Sequence, residues 1–227
     1  MCVNSAAYGL RTKITNLQQA IAYLGLKQVR NLAVTAGVSD LFRRGDAIGA
    51  YRRSELWRHL VTVGLAARMI AMRLRFSDFE DVFLAALLHD LGIILIDQHD
   101  NARFVRVIDE AVEGTSLCDV EKRILGYSHA ELAEAVGKMW SFPEAVVIAG
   151  RYHHNPDGYR GEHLNLLRAV VVANLVCTLK GISSIGRNLL RVSPTCILGL
   201  GLRKDDLRVL AEDLDQEVAA NVGLYQI

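Results

Sequence analysis

Between Asp78 and Ile96 the chain is apolar almost throughout, and in the middle of that stretch it sets a histidine beside an aspartate, in Leu87-Leu88-His89-Asp90-Leu91-Gly92. A segment of this character has to be buried. An ionised carboxylate carried into an apolar interior is costly unless partners meet it there. The fold must therefore either bring compensating groups to Asp90 or use the pair as a structural cap or hydrogen-bonded node. Both readings stay open on these residues alone.

The rest of the chain reads as helical. There are only three prolines in 227 residues. Apolar residues recur at three- and four-residue spacing, which predicts an all-α protein. Half of the chain is hydrophobic (51%), which argues against disorder. Thr15 with Gln18 and Ser128 with Glu131 have the spacing of capping boxes. The pattern predicts helices over about 27–42, with Val29, Leu32, Ala33, Ala36 and Leu41 as the apolar face, and over 53–74 and 78–96. It predicts others from Ser128 to Trp140, from Ser141-Pro143-Glu144 to His153-His154, and over 194–200 and 205–222. The segment from Leu164 to Lys180 is apolar nearly all round and is expected to be the central buried helix.

Charge and cysteine usage exclude some function classes. With 26 basic and 25 acidic residues the net charge is +1, which argues against a nucleic-acid binder. The longest apolar run, Ala169 to Leu179, is broken by Asn174 and falls short of the roughly 20 residues a membrane span needs. No export signal is read at the amino end. Cys2, Cys118, Cys177 and Cys196 are scattered without CxxC spacing, which fits buried thiols in a reducing, cytoplasmic setting.

The histidines are the remaining signal. Glu55 and His59 are four apart and project from one helix face, although alone they read as an ordinary surface pair. His129 follows the Ser128 cap, and His153-His154 closes a helix before a polar turn. Imidazoles with one or two carboxylates suit divalent Fe, Mn, Zn or Ni, at one or two sites. A His-Asp pair can hold one metal through the ring while the carboxylate bridges to a second.

The order His59, His89-Asp90, His129, His153-His154 resembles the HD superfamily of metal-dependent phosphohydrolases. Val3-Asn4-Ser5-Ala6-Ala7-Tyr8-Gly9, Ile21-Ala22-Tyr23-Leu24-Gly25, Leu56-Trp57-Arg58-His59, Trp140-Ser141-Phe142-Pro143 and His153-His154-Asn155-Pro156 resemble its HDOD branch, related to HD-GYP phosphodiesterases. The resemblance implies an HD-type multi-helix bundle and a bacterial signalling output module. It implies one HDOD-like domain over 1–227: an N-terminal helical part to about 50, an HD-like core over about 51–181 and C-terminal helices beyond. By the same resemblance the family's usual first helices, ahead of the Asn4-Ser5 turn, are expected to be missing from this sequence.

By the same resemblance His59, His89, Asp90, His129, His153 and His154 match metal-ligand positions, and Glu55 matches a glutamate that some members add. Asn174 stands where active relatives place an aspartate, and Ile93 where they place a lysine. Both changes predict a degenerate site that holds metal more readily than it turns substrate over. The reading expected is a regulatory domain with a protein partner or another signalling domain. The alternative is a phosphohydrolase acting on a nucleotide or cyclic dinucleotide, with Asp90 catalytic and the stretch Arg43, Arg44, Arg52, Arg53 and Arg58 as a source of phosphate-binding cations.

Overall fold

The structure is a computed structural model that describes residues 16–43, 47–186, 189 and 193–225. The motif Val3 to Gly9, Thr15, Cys2 and Arg44 lie outside the described residues. Helix α1 (Leu17–Leu24) begins at Asn16, whose side chain accepts the Gln19 N–H at 2.8 Å. The observed cap is thus Asn16, where a box at Thr15 and Gln18 was expected.

Helix α2 (Leu26–Ser39) runs into a 3-10 turn at Asp40–Phe42 and buries a face the apolar pattern indicated only in part, with Leu32 and Leu41 packed against the core. Ala33 and Ala36 are exposed, whereas Asn31, Thr35 and Ser39, each four apart, are buried. The reason is the surface α2 meets, the polar start of helix α4 (Phe79–Leu88). Asn31 donates to the Glu80 carbonyl at 2.7 Å, and Lys27 and Arg30 pair with Asp81 at 2.7 Å.

Two long helices form the centre. Helix α3 (Arg53–Arg73) buries residues on all sides from His59 to Ala67. Helix α10 (Leu164–Leu179) does the same from Ala169 to Thr178, as its uniform apolarity predicts. The two pack on each other, and α4 packs on α3. Helix α12 (Lys204–Ala220) closes over α3 and α10. The turn after it is tied down where Trp57 Nε1 donates to the Leu224 carbonyl at 3.1 Å. Helix α11 (Pro194–Gly199) lies against α10. Among the described residues no strand forms beyond the single bridge between Ile48 and Tyr51. No described helix is long and apolar enough to cross a membrane.

The single helix expected from Asp78 to Ile96 is two helices, α4 and α5 (Leu91–His99), broken at His89-Asp90. Asp90 leaves helical geometry at φ −103°, ψ 18°. Aspartate at such a position normally caps the next helix with its side chain. Here the carboxylate makes no capping bond, because the break turns it inward.

Two helices without a counterpart in the pattern reading, α6 (Asn101–Glu110) and α7 (Leu117–Leu125), follow α5. Gly126, at φ 88°, ends α7 in the left-handed conformation, and the chain turns at once into helix α8 (His129–Met139). The expected capping box is present there: Glu131 N–H donates to Ser128, and Ser128 N–H donates to Glu131 Oε2 at 2.9 Å. Helix α9 (Glu144–Tyr152) packs on α8 and α4.

Helices α5 and α8 meet at Gly92. A Cβ at Gly92 would lie 2.1 Å from the His129 carbonyl oxygen. Both sides of that contact are backbone, so no side-chain rotation relieves it. Gly92→Ala is expected to force α5 from α8 and to destabilise the fold by about 1–3 kcal/mol or more, read as a lower thermal unfolding temperature. Gly37 lies within α2, with open space where an alanine methyl would go. Gly37→Ala is expected to stabilise by roughly 0.5–1 kcal/mol in the same assay.

Candidate metal centre

Five imidazoles carried by different elements converge on the Asp90 carboxylate. His59 lies within α3, and His89 ends α4 next to Asp90 at the head of α5. His129 is the first residue of α8, and His153-His154 closes α9. His59, His89, Asp90, His129 and His153 are buried, and His154 is solvent-exposed at the edge of the group.

The two carboxylate oxygens face different rings. Oδ1 lies 3.0 Å from His153 Nε2 and 3.3 Å from His129 Nε2. Oδ2 lies 3.4 Å from His89 Nε2 and 3.7 Å from His59 Nε2. His154 Nε2 joins the first group at 3.0 Å from His129 Nε2. Asp90 therefore divides the ligands into two sets that share it. One is His59 and His89, and the other is His129, His153 and His154.

The far side of each ring determines what its near side offers. His59 Nδ1 lies 2.9 Å from the Ile182 carbonyl, and His89 Nδ1 lies 2.6 Å from the Ala86 carbonyl. His153 Nδ1 meets the Ala149 and Gly150 carbonyls at 3.0 Å. A carbonyl oxygen only accepts, so these Nδ1 atoms carry the protons and the neutral rings turn bare Nε2 lone pairs toward Asp90. A lone pair facing a carboxylate is repulsive unless a cation lies between them. The buried Nε2 atoms of His59 and His89 and Oδ1 of Asp90 accordingly have no hydrogen-bond partner, despite the short separations. Unpartnered buried acceptors sharing one carboxylate are the donor set a divalent transition metal takes.

The ionisation of the centre is consistent with this. Burial, reinforced by the neighbouring His89, pushes His59 down to about 4. Burial also lowers His153, against the pull of Asp90. For Asp90 burial works against the charge, but His89, His129 and His153 outweigh it and hold the carboxyl well below its usual range. His129 is the exception among the rings. Burial opposes its cation, yet Glu121 and Asp90 raise it well above the ordinary value.

Glu121 is the functional residue that pattern reading missed. It is fully buried on α7, and its Oε2 lies 2.7 Å from His129 Nδ1 while accepting the His129 backbone N–H at 2.9 Å. A sequence signal existed: Glu121 sits within the stripe Leu117, Val120, Ile124 and Leu125, a carboxylate on an apolar helix face.

Glu55 is not brought into the centre. Its side chain is half exposed and pairs with Arg58 at 3.3 Å. Four-residue spacing puts it on the side of α3 that carries His59, but one turn nearer the exposed helix start. Asn174 is buried on α10, accepts from Thr178 at 3.3 Å, and lines the same cavity as Asp90, His153 and His154. Ile93 is fully buried in the apolar core and does not line that cavity.

The cavity over the centre measures about 280 Å³. Its walls carry the hydroxyls of Ser116, Thr178, Ser183, Ser184, Ser193 and Thr195, with no Lys or Arg among the described lining residues. The arginine stretch is engaged elsewhere: Arg43 with Asp40, Arg52 with the Gly49 and Tyr51 carbonyls, Arg53 with Asp97, and Arg58 with Glu55. None of these lines the cavity.

Comparison with known proteins places this geometry. A solved HDOD domain protein from Geobacter sulfurreducens superposes with a TM-score of 0.74 at 28% identity, covering 98% of this chain and 78% of that one. A Marinobacter aquaeolei VT8 structure named for signal transduction gives a TM-score of 0.79 at 21% identity, covering 98% of this chain and 50% of its own. A Shewanella amazonensis SB2B structure named as a metal-dependent phosphohydrolase shares the fold, with a TM-score of 0.65 at 19% identity and coverage of 99% and 78%. An uncharacterized protein of Treponema pallidum (strain Nichols) is 25% identical over 175 residues, so that the match covers 76% of this chain but only 33% of that protein. The HDOD domain family model matches residues 1–156, more than half of the sequence and including Asp90 and the imidazoles around it, and the chain belongs to the HDOD domain family.

Proposed function

We propose that the chain is a bacterial, cytoplasmic regulatory domain, one HDOD-like unit over 1–227, whose centre binds one or two divalent metals and hydrolyses phosphodiesters poorly. The observation that carries this reading is the sharing of Asp90, with each carboxylate oxygen facing its own set of Nε2 atoms, those of His59 and His89 unpartnered. His59, His89 and Asp90 would hold one ion, and Asp90, His129, His153 and His154 the other. Bound metal would supply Lewis acidity toward a phosphoryl oxygen.

Beside the centre itself, what the described lining residues provide around such an oxygen is hydroxyl and amide groups and the Asp157 carboxylate. Ser116, Asn155, Asn174 and Thr178 can orient a nucleotide-sized ligand by hydrogen bonds. They place no full positive charge where charge develops on a transferring phosphate, which is the usual electrostatic contribution to turnover. Asn174 brings an oxygen without a charge, and Ile93 is enclosed by the core, so neither position makes up the difference. Support for a signalling role comes from the same features, together with the Marinobacter structure's name. The domain would act on a partner protein or a further signalling domain, with metal or nucleotide occupancy setting its state. The buried free thiols Cys177 and Cys196 suit a reducing compartment.

A second reading, a metal-dependent phosphohydrolase acting on a nucleotide or cyclic dinucleotide, is favoured by one observation: the cavity opens directly onto Asp90, His153 and the exposed His154. Metal analysis of the purified protein followed by a generic phosphodiester with added Mn²⁺ separates the two. The expected outcome is up to two metals per chain with little or no hydrolysis. Vigorous turnover abolished by Asp90→Ala would establish the second reading instead. Because both ligand sets share Asp90, Asp90→Ala is expected to remove all tight metal binding, measured as stoichiometry after dialysis against a fixed free-metal concentration. Asn174→Asp adds a carboxylate beside the centre and is expected to tighten metal binding by about tenfold or more in the same measurement.

A further inference from the structure

The set with His129 differs from the other in having a third ring, His154, and in how His129 is held. His59, His89 and His153 each anchor Nδ1 on neutral backbone carbonyls. His129 anchors Nδ1 on a carboxylate, Glu121 Oε2, at 2.7 Å. The same oxygen accepts the His129 backbone N–H at 2.9 Å. That N–H belongs to the first residue of α8, where no carbonyl within the helix can take it. Glu121 thus fixes both the backbone and the ring of His129. Its other oxygen, Oε1, is buried without a hydrogen-bond partner. A fully buried carboxylate with one idle oxygen is an expensive element to keep for stability alone.

Resting on the metal-centre reading above, we infer that Glu121 is a positioning residue for one metal only, the ion held by Asp90, His129, His153 and His154. A carboxylate behind a ligating imidazole fixes its orientation and makes its metal-facing nitrogen a stronger donor. It also adds a negative charge to a set that has Asp90 as its one carboxylate and a neutral Asn174 at its wall. The His59–His89 set has carbonyl anchors only, so the two positions differ in strength. The set containing His129 fills first, and it is also the set that includes the solvent-exposed His154.

The test is Glu121→Gln, which keeps the shape and an accepting oxygen while removing the charge. Wild-type and variant chains are dialysed against a series of free Mn²⁺ concentrations, and bound metal is counted at each. The wild type should take up a tighter and a weaker equivalent, and in the variant the tighter one should weaken roughly ten- to hundredfold with the other unchanged. The fold of the variant is checked by thermal unfolding. An unchanged binding curve in a folded variant, or equal weakening of both equivalents, overturns the inference while leaving the metal centre standing. A wild type that takes up no metal overturns the centre and the inference together. Should the variant not fold, nitrogen-labelled histidine NMR of the zinc-loaded wild type decides. One Nδ1 proton should resonate well downfield of the others, as expected for a bond to a carboxylate, and a spectrum without such an outlier overturns the inference.

Discussion

A single buried carboxylate organises this molecule. Asp90 lies in an interior built mainly from Leu, Ile, Val and Ala, where an uncompensated charge costs several kcal/mol. The groups brought to it are mostly lone pairs. Three of the rings are held by backbone carbonyls in the tautomer that points a bare nitrogen at the carboxylate. Such a set is at odds with itself until a cation enters it. A divalent metal is suited to answer that demand, with Glu121 standing behind the His129 ring.

Much of the local structure follows from that demand. The break between α4 and α5 gives up an N-terminal cap so that Asp90 can face inward. The absence of a side chain at Gly92 lets the start of α8 approach α5 closely enough for His129 to reach Oδ1. The Ser128–Glu131 box sets where α8 starts, and so which residue occupies its first position. The left-handed Gly126 joins α7 to α8 tightly enough for Glu121 to lie behind the ring. These are small local choices in two short stretches, 89–92 and 126–131, with one common outcome.

How far the centre was legible along the chain depends on the type of residue. Histidines are few, so their order alone picked out the elements that converge. Glu55 was drawn in by the family resemblance, on the helix face that carries His59, yet spacing along a helix specifies a face and not a depth, and Glu55 stays at the surface with Arg58. Glu121 escaped notice because glutamate on a helix is ordinary. Only its place in an apolar stripe distinguishes it, and α7 itself was not read as a helix. For α2 the apolar positions gave only part of the buried face, since its neighbour presents Glu80 and Asp81 and therefore draws Asn31 inward.

The sequence by itself determined that the chain is helical and where its central helix runs, because periodicity and capping chemistry are properties of neighbours along the polymer, and its histidines and the His89-Asp90 pair carried the resemblance that marked them as candidate ligands. Tertiary structure alone decided that Asp90 faces two sets of imidazoles, that Glu121 stands behind His129 and that Glu55 lies outside the group. Those facts depend on distances between segments tens of residues apart, which are set by how the helices pack and not by any local preference.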